Sequence, residues 1–544
     1  MEKKILAVVL ATLCMTLSAC GQSSSAGSSQ KSEPEYNIIR PNFIPEYERY
    51  EVGPAPTGVN MTYFSDIYSR GFSWITDSSV ADTQLYLIES DKGELADFTY
   101  AELFEGTAQK VTYETSGNCK FENDTYPTKR GSSNASELVV YSHKVHVENL
   151  KKGAAYSYKI GSDVGGWFYG AFVVEKEGAE TITAIQLSDA QTKDGSKLNV
   201  WRNTFTKAVE TAGKGLDTVL YNGDQFDQNL GKVNNVQPVR FNMYSKAYDV
   251  IQDYKASITY MASSGNHEPS SPYSQYLHSD INYPENGVSD DGAFYSFDYD
   301  FAHFTVLNTN DISTEQINWL KDDLNNASGA TWKVVLMHTA PYSTGDHSNA
   351  SENQNIVAKL TPIFSENHVD LVLQAHDHTY NKTLPYKWDA AGYTETWDNA
   401  DVVNLEPATE TIGDIEYDKN PEGTYYVTTG AAGHRYGASE GDGIWAEVVQ
   451  DGDEWKGLNP SKTFLSNKYK VELGKLKYAN QYESYTSSSY TSDQDYQVGD
   501  LATGNVNAAM FGVLNLSKTT LSYNVYTVND ETVQLFDSLD VLKA

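Results

Sequence analysis

The stretch Leu371–Tyr380, LVLQAHDHTY, joins a short apolar run to two histidines on alternate residues. The run Leu371-Val372-Leu373 is typical of a strand that is buried on both faces. His376 and His378 then stand at the mouth of this strand, and neutral imidazole is a common metal ligand. For this segment alone, a metal site and a pair of ordinary surface histidines explain the pattern equally well.

Four strand-like runs upstream end in the same way, in residues that can bind a metal ion. These runs are Thr181–Leu187, Leu216–Tyr221, Ser257–Met261 and Trp332–Met337. In the same order, they are followed by Asp189 and Gln191, by Asp224 and Asp227, by Asn266 and His267, and by His338, with His347 farther along its loop. Any one of these could be a helix cap or a turn. Five in order at the carboxyl ends of strands, where open α/β sheets bind ligands, predict one common site.

The chain before residue 175 has a pattern of its own. From about Tyr50 to Val174 apolar and polar residues alternate with a period of two, and Gly, Asn and Ser clusters separate the runs. This pattern predicts a small antiparallel β-sandwich. One predicted strand, Glu137–Val147, carries His143 and His146 on opposite faces. The two histidines are therefore poor joint ligands, and we interpret them as surface residues.

After Glu177, strand-like runs alternate with segments of helical spacing, which predicts an α/β domain with a largely parallel sheet at its core. Ser313 and Gln316 fit a capping box at the start of one helix. The other predicted helices are Lys197–Ala212, Val239–Tyr254 and Asn355–Glu366, the last of them interrupted near Pro362. The predicted hairpins are Ala293–Asp298 with His303–Asn308, and Ala509–Val528.

Length and charge restrict the classes of function. With 544 residues, of which 40% are apolar and 12% aromatic, the chain can fold into two or three domains. Its formal net charge of −33 argues against a nucleic-acid partner, because phosphate backbones are bound by basic surfaces. An anionic substrate would need local positive charge, and bound cations can supply it.

The N-terminus has the features of an export signal. Lys3 and Lys4 precede the apolar run Ile5–Leu17, which is too short for a bilayer span of about 20 residues but suits a signal peptide. The residues up to Cys20 resemble the lipobox of bacterial lipoproteins, in which the cysteine is lipidated. An ordinary secretory signal with an incidental cysteine is the alternative.

On the lipoprotein interpretation, residues 1–20 are the signal segment and residues 21–49 a flexible tether rich in small polar residues. The protein is then expected outside the cytoplasm, at the bacterial cell surface, and bound to the membrane only through the lipid on Cys20. Cys119 would be the one further cysteine of the mature chain, so no intramolecular disulfide is expected.

In order, the five motifs resemble those of a known family. They read D-x-Q from Asp189, GDxxD from Gly223, GNHE from Gly265, a histidine at 338, and AHxH from Ala375. This set resembles the calcineurin-like metallophosphoesterases. The flanking segments and the predicted β-sandwich in front are similar to the purple acid phosphatase branch, and the resemblance covers about Pro54 to Tyr380.

The resemblance implies a fold in two parts. Residues 50–175 would form an N-terminal antiparallel β-sandwich that is fibronectin-III-like. Residues 176–544 would form a metallophosphatase β-sandwich of two mixed sheets flanked by helices, with insertions near 387–420 and 441–500.

The resemblance also implies a dinuclear metal site. Two cations about 3.5–4 Å apart can supply both a nucleophile and charge stabilisation for phosphoester hydrolysis. One ion would be held by Asp189, Gln191, Asp224 and His378, and the other by Asp224, Asn266, His338 and His376. Mixed nitrogen and oxygen ligands suit Fe, Mn or Zn, and a water bridging the ions would attack phosphorus.

Three further residues receive catalytic roles from the same resemblance. His267 would stabilise charge on the phosphoryl oxygens, Asp227 would orient His267, and His347 could protonate the leaving alkoxide. For His347, an ordinary loop histidine is the alternative interpretation.

Two positions depart from the pattern of the purple enzymes. Those enzymes carry a tyrosine three residues after the bridging aspartate, whereas this chain has Asp227, so neither the colour nor a fixed Fe(III) is implied. Gln191 stands where relatives carry histidine or no ligand. Because a neutral amide oxygen is a weaker donor than imidazole, Gln191 is the least secure of the predicted ligands.

The expected activity is therefore hydrolysis of a small phosphorylated substrate, with phosphate monoesters first. A phosphodiesterase or nucleotide hydrolase on the same site is the alternative within the fold. A non-catalytic surface binding lipoprotein on a retired phosphatase scaffold is the alternative of another class. The presence of Asp224 and His267 argues against it.

Overall fold

The computed structural model describes most of the chain from Gly53 onward. The described residues are 53–91, 96–116, 135–192, 195–225, 247–268, 288–289, 292–342, 351–388, 402–404, 407–433, 448–451, 454–457, 477–481, 505–506, 509–529 and 531–544. The predicted signal segment, the tether, Cys20, Asp227 and His347 lie outside these residues, as does most of the predicted insertion 441–500.

Eight strands between Thr57 and Val173 form two antiparallel sheets. The strands are β1 (Thr57–Thr62), β2 (Arg70–Asp77), β3 (Gln84–Ser90), β4 (Glu102–Glu105), β5 (Thr107–Ser116), β6 (Ala135–Val147), β7 (Ala155–Ser162) and β8 (Gly166–Val173). Their orders are β1-β2-β6-β5 and β4-β3-β7-β8. The sheets share one apolar core, in which Phe72 of β2 packs on Tyr158 of β7 with ring centroids 4.9 Å apart. The fibronectin-III likeness and the domain boundaries stay predictions.

His143 of β6 is wholly buried, so its interpretation as a surface residue was wrong. Its ring stacks on Trp74 with centroids 5.1 Å apart, and its two nitrogens lie 2.8 and 2.7 Å from the hydroxyls of Thr76 and Thr83. These hydroxyls give the imidazole hydrogen-bond partners inside the sheet, which the alternation pattern alone could not show. His146, three residues on, is exposed as predicted. Burial lowers the pKa of His143 from 6.5 to about 4.

The depressed pKa of His143 predicts a loss of stability in acid. The unfolded chain binds this proton more tightly than the folded chain, so the stabilisation is complete above pH 6.5 and is lost as pH falls towards 4. The full difference is worth roughly 3 kcal/mol. We expect the free energy of unfolding of the wild type to fall, relative to that of His143→Gln, by up to this amount across the interval. Urea titrations at several pH values measure it.

The matched control for His143 is His146→Gln, which removes an exposed imidazole from the same strand. Its free energy of unfolding should follow that of the wild type at every pH. A wild-type minus His143→Gln difference that stays constant from pH 6.5 to 4 would contradict the prediction.

The rest of the described chain contains four α-helices and twenty-two further strands, joined by loops. The α-helices are α1 (Gly195–Ala212), α2 (Gln252–Lys255), α3 (Thr314–Asn326) and α4 (Ser351–Glu366), and short 3₁₀ turns lie at Phe98–Tyr100, Gly213–Gly215 and Ala327–Gly329. The strands are β9 (Thr181–Leu187), β10 (Thr218–Tyr221), β11 (Thr259–Ala262), β12 (Val288–Ser289), β13 (Gly292–Ala293), β14 (Tyr295–Tyr299), β15 (Ala302–Val306), β16 (Trp332–Thr339), β17 (Leu371–Ala375), β18 (Thr379–Lys382), β19 (Tyr386–Trp388), β20 (Val402–Asn404), β21 (Ala408–Ile412), β22 (Ile415–Lys419), β23 (Tyr425–Thr428), β24 (Val448–Asp451), β25 (Glu454–Gly457), β26 (Lys477–Gln481), β27 (Asn505–Val506), β28 (Ala509–Ser517), β29 (Thr520–Asn529) and β30 (Thr532–Leu542).

Most of these strands form two mixed sheets of eight. The first has the order β11-β10-β9-β28-β29-β30-β22-β21, and the second β14-β15-β16-β17-β23-β18-β26-β27. Strands β9 to β11 are mutually parallel in the first sheet, as are β15, β16, β17 and β23 in the second. The largely parallel sheet expected from the alternation is therefore limited to three neighbouring strands of the first sheet and four of the second. In the first sheet the parallel run ends where β28 of the C-terminal hairpin pairs antiparallel with β9. The mixed sheets implied by the resemblance are present.

The two mixed sheets pack face to face, with helices on their outer faces. Leu220 and Leu373 lie in the core between the sheets. Trp201 of α1 packs on the outer face of the first sheet, and α3 and α4 cover that of the second. On β16, Leu336 faces the inner core and Met337 the outer one. Burial on both faces is why these strands appear in the sequence as continuous apolar runs.

Several local predictions can be compared directly with the structure. Half of the predicted capping box is confirmed, because Ser313 Oγ accepts from the backbone N–H of Gln316 at 3.2 Å. The other half is not, since Gln316 Oε1 accepts from the backbone N–H of Asn308. The predicted interruption near Pro362 was wrong, since α4 runs through that residue from Ser351 to Glu366. Of the predicted helix Val239–Tyr254, residues 239–246 lie outside the described part of the chain. None of the described helices is both long and apolar enough to cross a membrane.

The N-terminal sheets are bonded directly to helix α2 and the residue that follows it, and both belong to one unit, Tyr36–Ala544. Gln252 Nε2 donates to the backbone carbonyl of Val59 at 3.0 Å, and the hydroxyl of Tyr158 donates to the backbone carbonyl of Ala256 at 3.0 Å. Both donors are buried. Of the predicted insertion 387–420, the hairpin β21–β22 extends the first mixed sheet through pairing of β22 with β30.

Candidate metal centre

The predicted site residues lie at the carboxyl ends of strands or shortly after them, and these ends meet at one edge of the structure. Strands β9, β10 and β11 are parallel in one sheet, and β16 and β17 are parallel in the other, so each group ends together. The two groups are also in contact across the sheets, because Asn222 after β10 donates to the carbonyl of Leu373 in β17 at 2.8 Å. The five loops predicted to share a site therefore converge.

Asp189, Asp224 and His378 form a first buried group. Each offers one potential ligand atom, and these atoms lie within 4.8 Å of one another. Asp189 Oδ1 is 3.2 Å from Nε2 of His378. Gln191 lies beside them, and its Nε2 donates to Asp224 Oδ2 at 3.2 Å. The four residues predicted for one ion are thus brought together.

Asp224, His338 and His376 form a second buried group with the same spacing, so Asp224 is common to both. Nε2 of His338 lies 3.3 Å from Asp224 Oδ1 and 2.9 Å from Asn266 Oδ1. The rings of His338 and His376 stand edge to face with centroids 5.1 Å apart. The residues predicted for the second ion therefore also converge, with one carboxylate between the groups.

Backbone strain is concentrated at this edge. Five non-glycine residues of the two groups have positive φ, in the left-handed region: Asp189 (50°), Gln191 (40°), Asp224 (56°), His376 (77°) and His378 (47°). Each such residue costs of the order of 1–2 kcal/mol. The chain turns sharply directly after each strand, and this turn is what aims the side chains at one another. Strain of this kind collects at functional sites.

His338 is held in one tautomer by its backbone neighbour. Its Nδ1 lies 2.6 Å from the carbonyl oxygen of Asn222, which can only accept, so Nδ1 carries a hydrogen. In the neutral ring the lone pair is then on Nε2, the nitrogen that lies on the side of Asp224 and Asn266, where it can bind a metal ion. Burial opposes the charged form of this histidine, but the Asp224 carboxylate outweighs it and raises the pKa of His338 to about 10.

The charge of Asp224 is strongly favoured. Burial by itself would raise the pKa of its carboxyl, but the nearby imidazoles of His267 and His338 hold that pKa well below its usual value. Asp224 Oδ1 also accepts from the backbone N–H of His267 at 2.8 Å. The carboxylate is therefore anionic in the folded protein, which suits it to sit between two cations.

Glu268 binds the two loops that flank Asp224. Its Oε2 accepts from the backbone N–H groups of Asp224 at 2.8 Å and Gly265 at 2.5 Å, and its Oε1 accepts from Gln225 at 2.7 Å. Burial, followed by the charge of Asp224, raises the pKa of Glu268 to about 7. Glu268 is therefore bonded to both motif loops, GDxxD and GNHE, and holds them together.

Gly223 and Gly265 are required by close packing around the aspartate. A Cβ on Gly223, whose φ is 84°, would lie 2.5 Å from the backbone nitrogen of Gly265 and 2.8 Å from Nδ1 of His338. A Cβ on Gly265 would lie 2.2 Å from Asp224 Oδ1. The glycines of the GDxxD and GNHE motifs thus let these loops approach.

The three predicted catalytic residues differ in where they fall. His267 lies at the site, with Nε2 3.8 Å from Asp224 Oδ2 and 19% of its side chain exposed. It is the more accessible imidazole beside the buried groups, as a residue facing substrate would be. Asp227 and His347 lie outside the described residues, so their roles stay predictions.

Sequence reasoning missed a sixth loop at this edge. Residues 308–310 follow β15, and Asn310 Nδ2 donates to the carbonyl of Gly265 at 2.9 Å. Thr309 Oγ1 donates to Thr339 Oγ1 at 3.1 Å and accepts from the backbone N–H of Thr339, next to His338. The position of the loop after a parallel strand was the available signal, but these residues are not metal ligands by type and were passed over.

Comparison with known proteins agrees with this geometry. A family model described as calcineurin-like phosphoesterase matches residues 183–380. A mouse acid phosphatase type 7 is 26% identical over 318 residues, which cover 54% of this chain and 64% of that protein. An Arabidopsis thaliana protein named probable inactive purple acid phosphatase 9 is 23% identical over 293 residues, covering 46% of this chain and 44% of its own length. The matches therefore span less than two thirds of these curated relatives.

Among solved structures, a purple acid phosphatase from yellow lupin (Lupinus luteus) seeds superposes with a TM-score of 0.53 and 14% identity, covering 90% of this chain and 74% of that one. At this identity the likeness concerns the fold, with its mixed and antiparallel sheets and few helices. Residues 183–380 are a calcineurin-like metallophosphoesterase domain, in a chain that has purple acid phosphatases among its relatives and structural neighbours.

Proposed function

We propose that this protein is a metal-dependent phosphoesterase that hydrolyses phosphate monoesters at a dinuclear centre. The observation that carries the proposal is that the buried carboxylate of Asp224 belongs to two groups of potential ligand atoms. Within each group, the atoms lie within 4.8 Å of one another. The domain family implies divalent metal ions, and the activity fits its relatives named as acid phosphatases.

The residues present fit such ions by their chemistry. The first group offers two carboxylates and one imidazole, and the second group offers one carboxylate and two imidazoles. Gln191 and Asn266 can each add a neutral amide oxygen. Mixed nitrogen and oxygen donors suit Fe, Mn or Zn rather than Ca or Cu(I). When bound, two cations would make a strong nucleophile available near neutral pH and offset the charge of the phosphoryl oxygens.

The protein's own side chains would position the ions, stabilise charge on the phosphoryl group and transfer the proton. Asp224 supplies negative charge between the groups, and Glu268 holds the two loops whose separation sets the spacing of the ligands. His267, partly exposed beside Asp224, would donate a hydrogen bond to a phosphoryl oxygen as negative charge develops there. His347 would protonate the leaving alkoxide, and Asp227 would orient His267. These last two roles rest on the sequence resemblance alone.

The test compares two substrates with one metal-depleted preparation of the full-length chain, reconstituted with Mn²⁺, Fe²⁺ or Zn²⁺. We expect metal-dependent hydrolysis of p-nitrophenyl phosphate that is faster than hydrolysis of bis-p-nitrophenyl phosphate. His146→Gln, far from the motifs on an N-terminal strand, should match the wild type.

Each other outcome selects an alternative. Faster turnover of the diester would favour a phosphodiesterase or nucleotide hydrolase. No turnover of either ester by a protein that still binds two ions per chain would favour a non-catalytic binding protein. One relative is named as probably inactive, so the assay has to include this outcome.

A further inference from the structure

Asn222, between β10 and the GDxxD loop, makes a full set of buried side-chain hydrogen bonds. Its Nδ2 donates to the carbonyl oxygens of Met337 at 2.9 Å and Leu373 at 2.8 Å, and its Oδ1 accepts from Gln186 Nε2 at 2.9 Å. Carbonyl oxygens can only accept, so Nδ2 must face them and the orientation of the amide is fixed. The residue is wholly buried, and it connects the first mixed sheet to two strands of the second.

The two acceptors lie where the second sheet is irregular. Leu336 pairs with Leu373 and Thr339 with Ala375, so two residues of β16, Met337 and His338, stand opposite one of β17. Such a bulge interrupts the hydrogen-bonded ladder and re-aims a side chain. Here the re-aimed side chain is that of His338. The side-chain amide of Asn222 donates to one carbonyl on each strand at the bulge, that of Met337 in β16 and that of Leu373 in β17.

Asn222 also contacts His338 and the Asp189 strand through its own backbone. Its carbonyl oxygen accepts from His338 Nδ1 at 2.6 Å, and its N–H donates to the carbonyl of Leu187 at 2.9 Å. One residue is thus bonded to β9, β16 and β17, three of the strands that deliver predicted ligands.

A buried chain of polar side chains fixes Asn222 from behind. Gln186 Oε1 accepts from the hydroxyl of Tyr523 at 2.8 Å, which leaves Gln186 Nε2 to donate to Asn222. The Tyr523 hydroxyl in turn lies 2.5 Å from Thr429 Oγ1. All four side chains are buried. Through Tyr523, the C-terminal hairpin is thereby connected to His338 by two intervening side chains, those of Gln186 and Asn222, and by the Asn222 backbone.

We propose that Asn222 is a positioning residue of the metal centre: it stabilises the bulge in β16 and sets the position and tautomer of His338. This inference rests on the proposed function, because it takes His338 to be a metal ligand. An apolar residue of similar size would leave two strand carbonyls without their inter-sheet donor, and a buried polar group without a partner destabilises the structure around it. It would also release the loop on which Asp224 stands.

The experiment is calorimetric titration of the metal-depleted full-length chain with Zn²⁺ at pH 7, together with the free energy of unfolding of each variant in urea. His338→Ala identifies the binding step that depends on His338. We expect Asn222→Ala to weaken that same step by about 10–100-fold, the range seen when residues behind metal ligands are removed. The step that His338→Ala leaves intact should change less.

The matched control is Gln252→Ala, which removes another buried amide that donates to a backbone carbonyl, that of Val59 at the junction with the N-terminal sheets. It should lower stability but leave both Zn²⁺ affinities within about twofold, since it touches no residue behind a metal ligand. Wild-type affinities in a folded Asn222→Ala protein, or an equal loss in Gln252→Ala, would overturn the inference.

A second pair of variants decides the matter if Asn222→Ala does not fold. Tyr523→Phe removes only the hydroxyl that holds Gln186, and should weaken the His338-dependent step by about threefold, the scale of one hydrogen bond. Tyr158→Phe removes an equally buried hydroxyl bonded to Ala256 and should have no effect. Equal affinities in both variants would refute the role of Asn222. A wild-type isotherm with a single step would instead contradict the dinuclear proposal, and the variants would then be compared on that step.

Discussion

Asp224→Asn is expected to lower kcat for phosphate monoesters by about 10³-fold or more, the scale on which loss of a principal electrostatic element slows an enzyme. Asp224 is the one residue shared by both buried groups of potential ligands. The amide keeps the shape of the side chain but removes its charge, and presents an N–H on one side where an acceptor is needed. Both ions should therefore bind more weakly, and the Zn²⁺ content per chain should fall along with the rate.

The matched control is Asp217→Asn, the same substitution immediately before β10, the strand that Asp224 follows. Asp217 accepts from the backbone N–H of Thr183 at 2.7 Å and from the hydroxyl of Tyr299 at 2.9 Å, and burial raises its pKa to about 7. The Asp217→Asn variant should keep kcat and metal content within about twofold of the wild type. Asp217 lies at the opposite end of β10 from Asp224, and a strand extends by about 3.3 Å per residue, so the substitution is remote from the site. A rate for Asp224→Asn within tenfold of that for Asp217→Asn would contradict the proposed centre.

The position of the site could be predicted because it depends on local sequence patterns. Runs such as Leu371–Leu373 are apolar on both faces because the strand lies inside a layered domain, and ligand-type residues are then concentrated where the strands end. In such a domain, parallel strands bring those ends to one edge. The convergence of Asp189, Asp224, His338 and His376 follows from these two facts, and the structure places all four within the two groups.

The pairing of the C-terminal hairpin could not be predicted from the sequence. Strand β28 pairs with β9, with Leu514 opposite Ala184, although more than three hundred residues separate them. Nothing in the local pattern of either strand specifies its partner. This pairing ends the run of parallel strands in the first mixed sheet at β9. It also brings Tyr523 next to Gln186.

The burial of certain polar residues in the core could not be predicted either, for a related reason. Asn222 resembles a turn residue before Gly223, and His143 resembles a surface residue on an alternating strand. Both are buried because distant segments satisfy their hydrogen bonds: Met337 and Leu373 in one case, and Thr76 and Thr83 in the other. A buried polar group is stable only with such partners, and the partners are visible only in three dimensions.

Breaking the buried ion pair between Arg70 and Glu175 should lower the free energy of unfolding far more than breaking the exposed pair between Lys151 and Glu89. Arg70 Nη2 lies 2.6 Å from Glu175 Oε2, with only 2% and 5% of the two side chains exposed. The hydroxyl of Tyr63 donates to the other carboxylate oxygen at 2.7 Å, and Tyr63 itself packs on Phe297 of the second mixed sheet. Through Tyr63, the pair thus connects β2 to the second mixed sheet.

Glu175→Gln should lower the free energy of unfolding by about 3–5 kcal/mol, because it leaves the Arg70 charge buried without a counter-charge. Glu89→Gln is the matched control: it breaks the pair with Lys151, which has nearly the same length, 2.7 Å, but whose side chains are 54% and 67% exposed. An exposed pair contributes about 0–1 kcal/mol, so the control should be nearly neutral. Urea unfolding of the two variants measures the difference.

The double variant Arg70→Met with Glu175→Gln separates the cost of an unpaired charge from the cost of lost packing. Removing both charges should recover most of the stability lost in Glu175→Gln, since the penalty arises from the uncompensated guanidinium and not from the missing attraction. Arg70 also lies 5.0 and 5.2 Å from the rings of Tyr63 and Phe172, and methionine can fill that space between aromatic side chains. If the double variant were as unstable as Glu175→Gln, the pair would be acting through its hydrogen bonds to the chain, among them those to the carbonyls of Ile67 and Ser69, rather than through charge compensation.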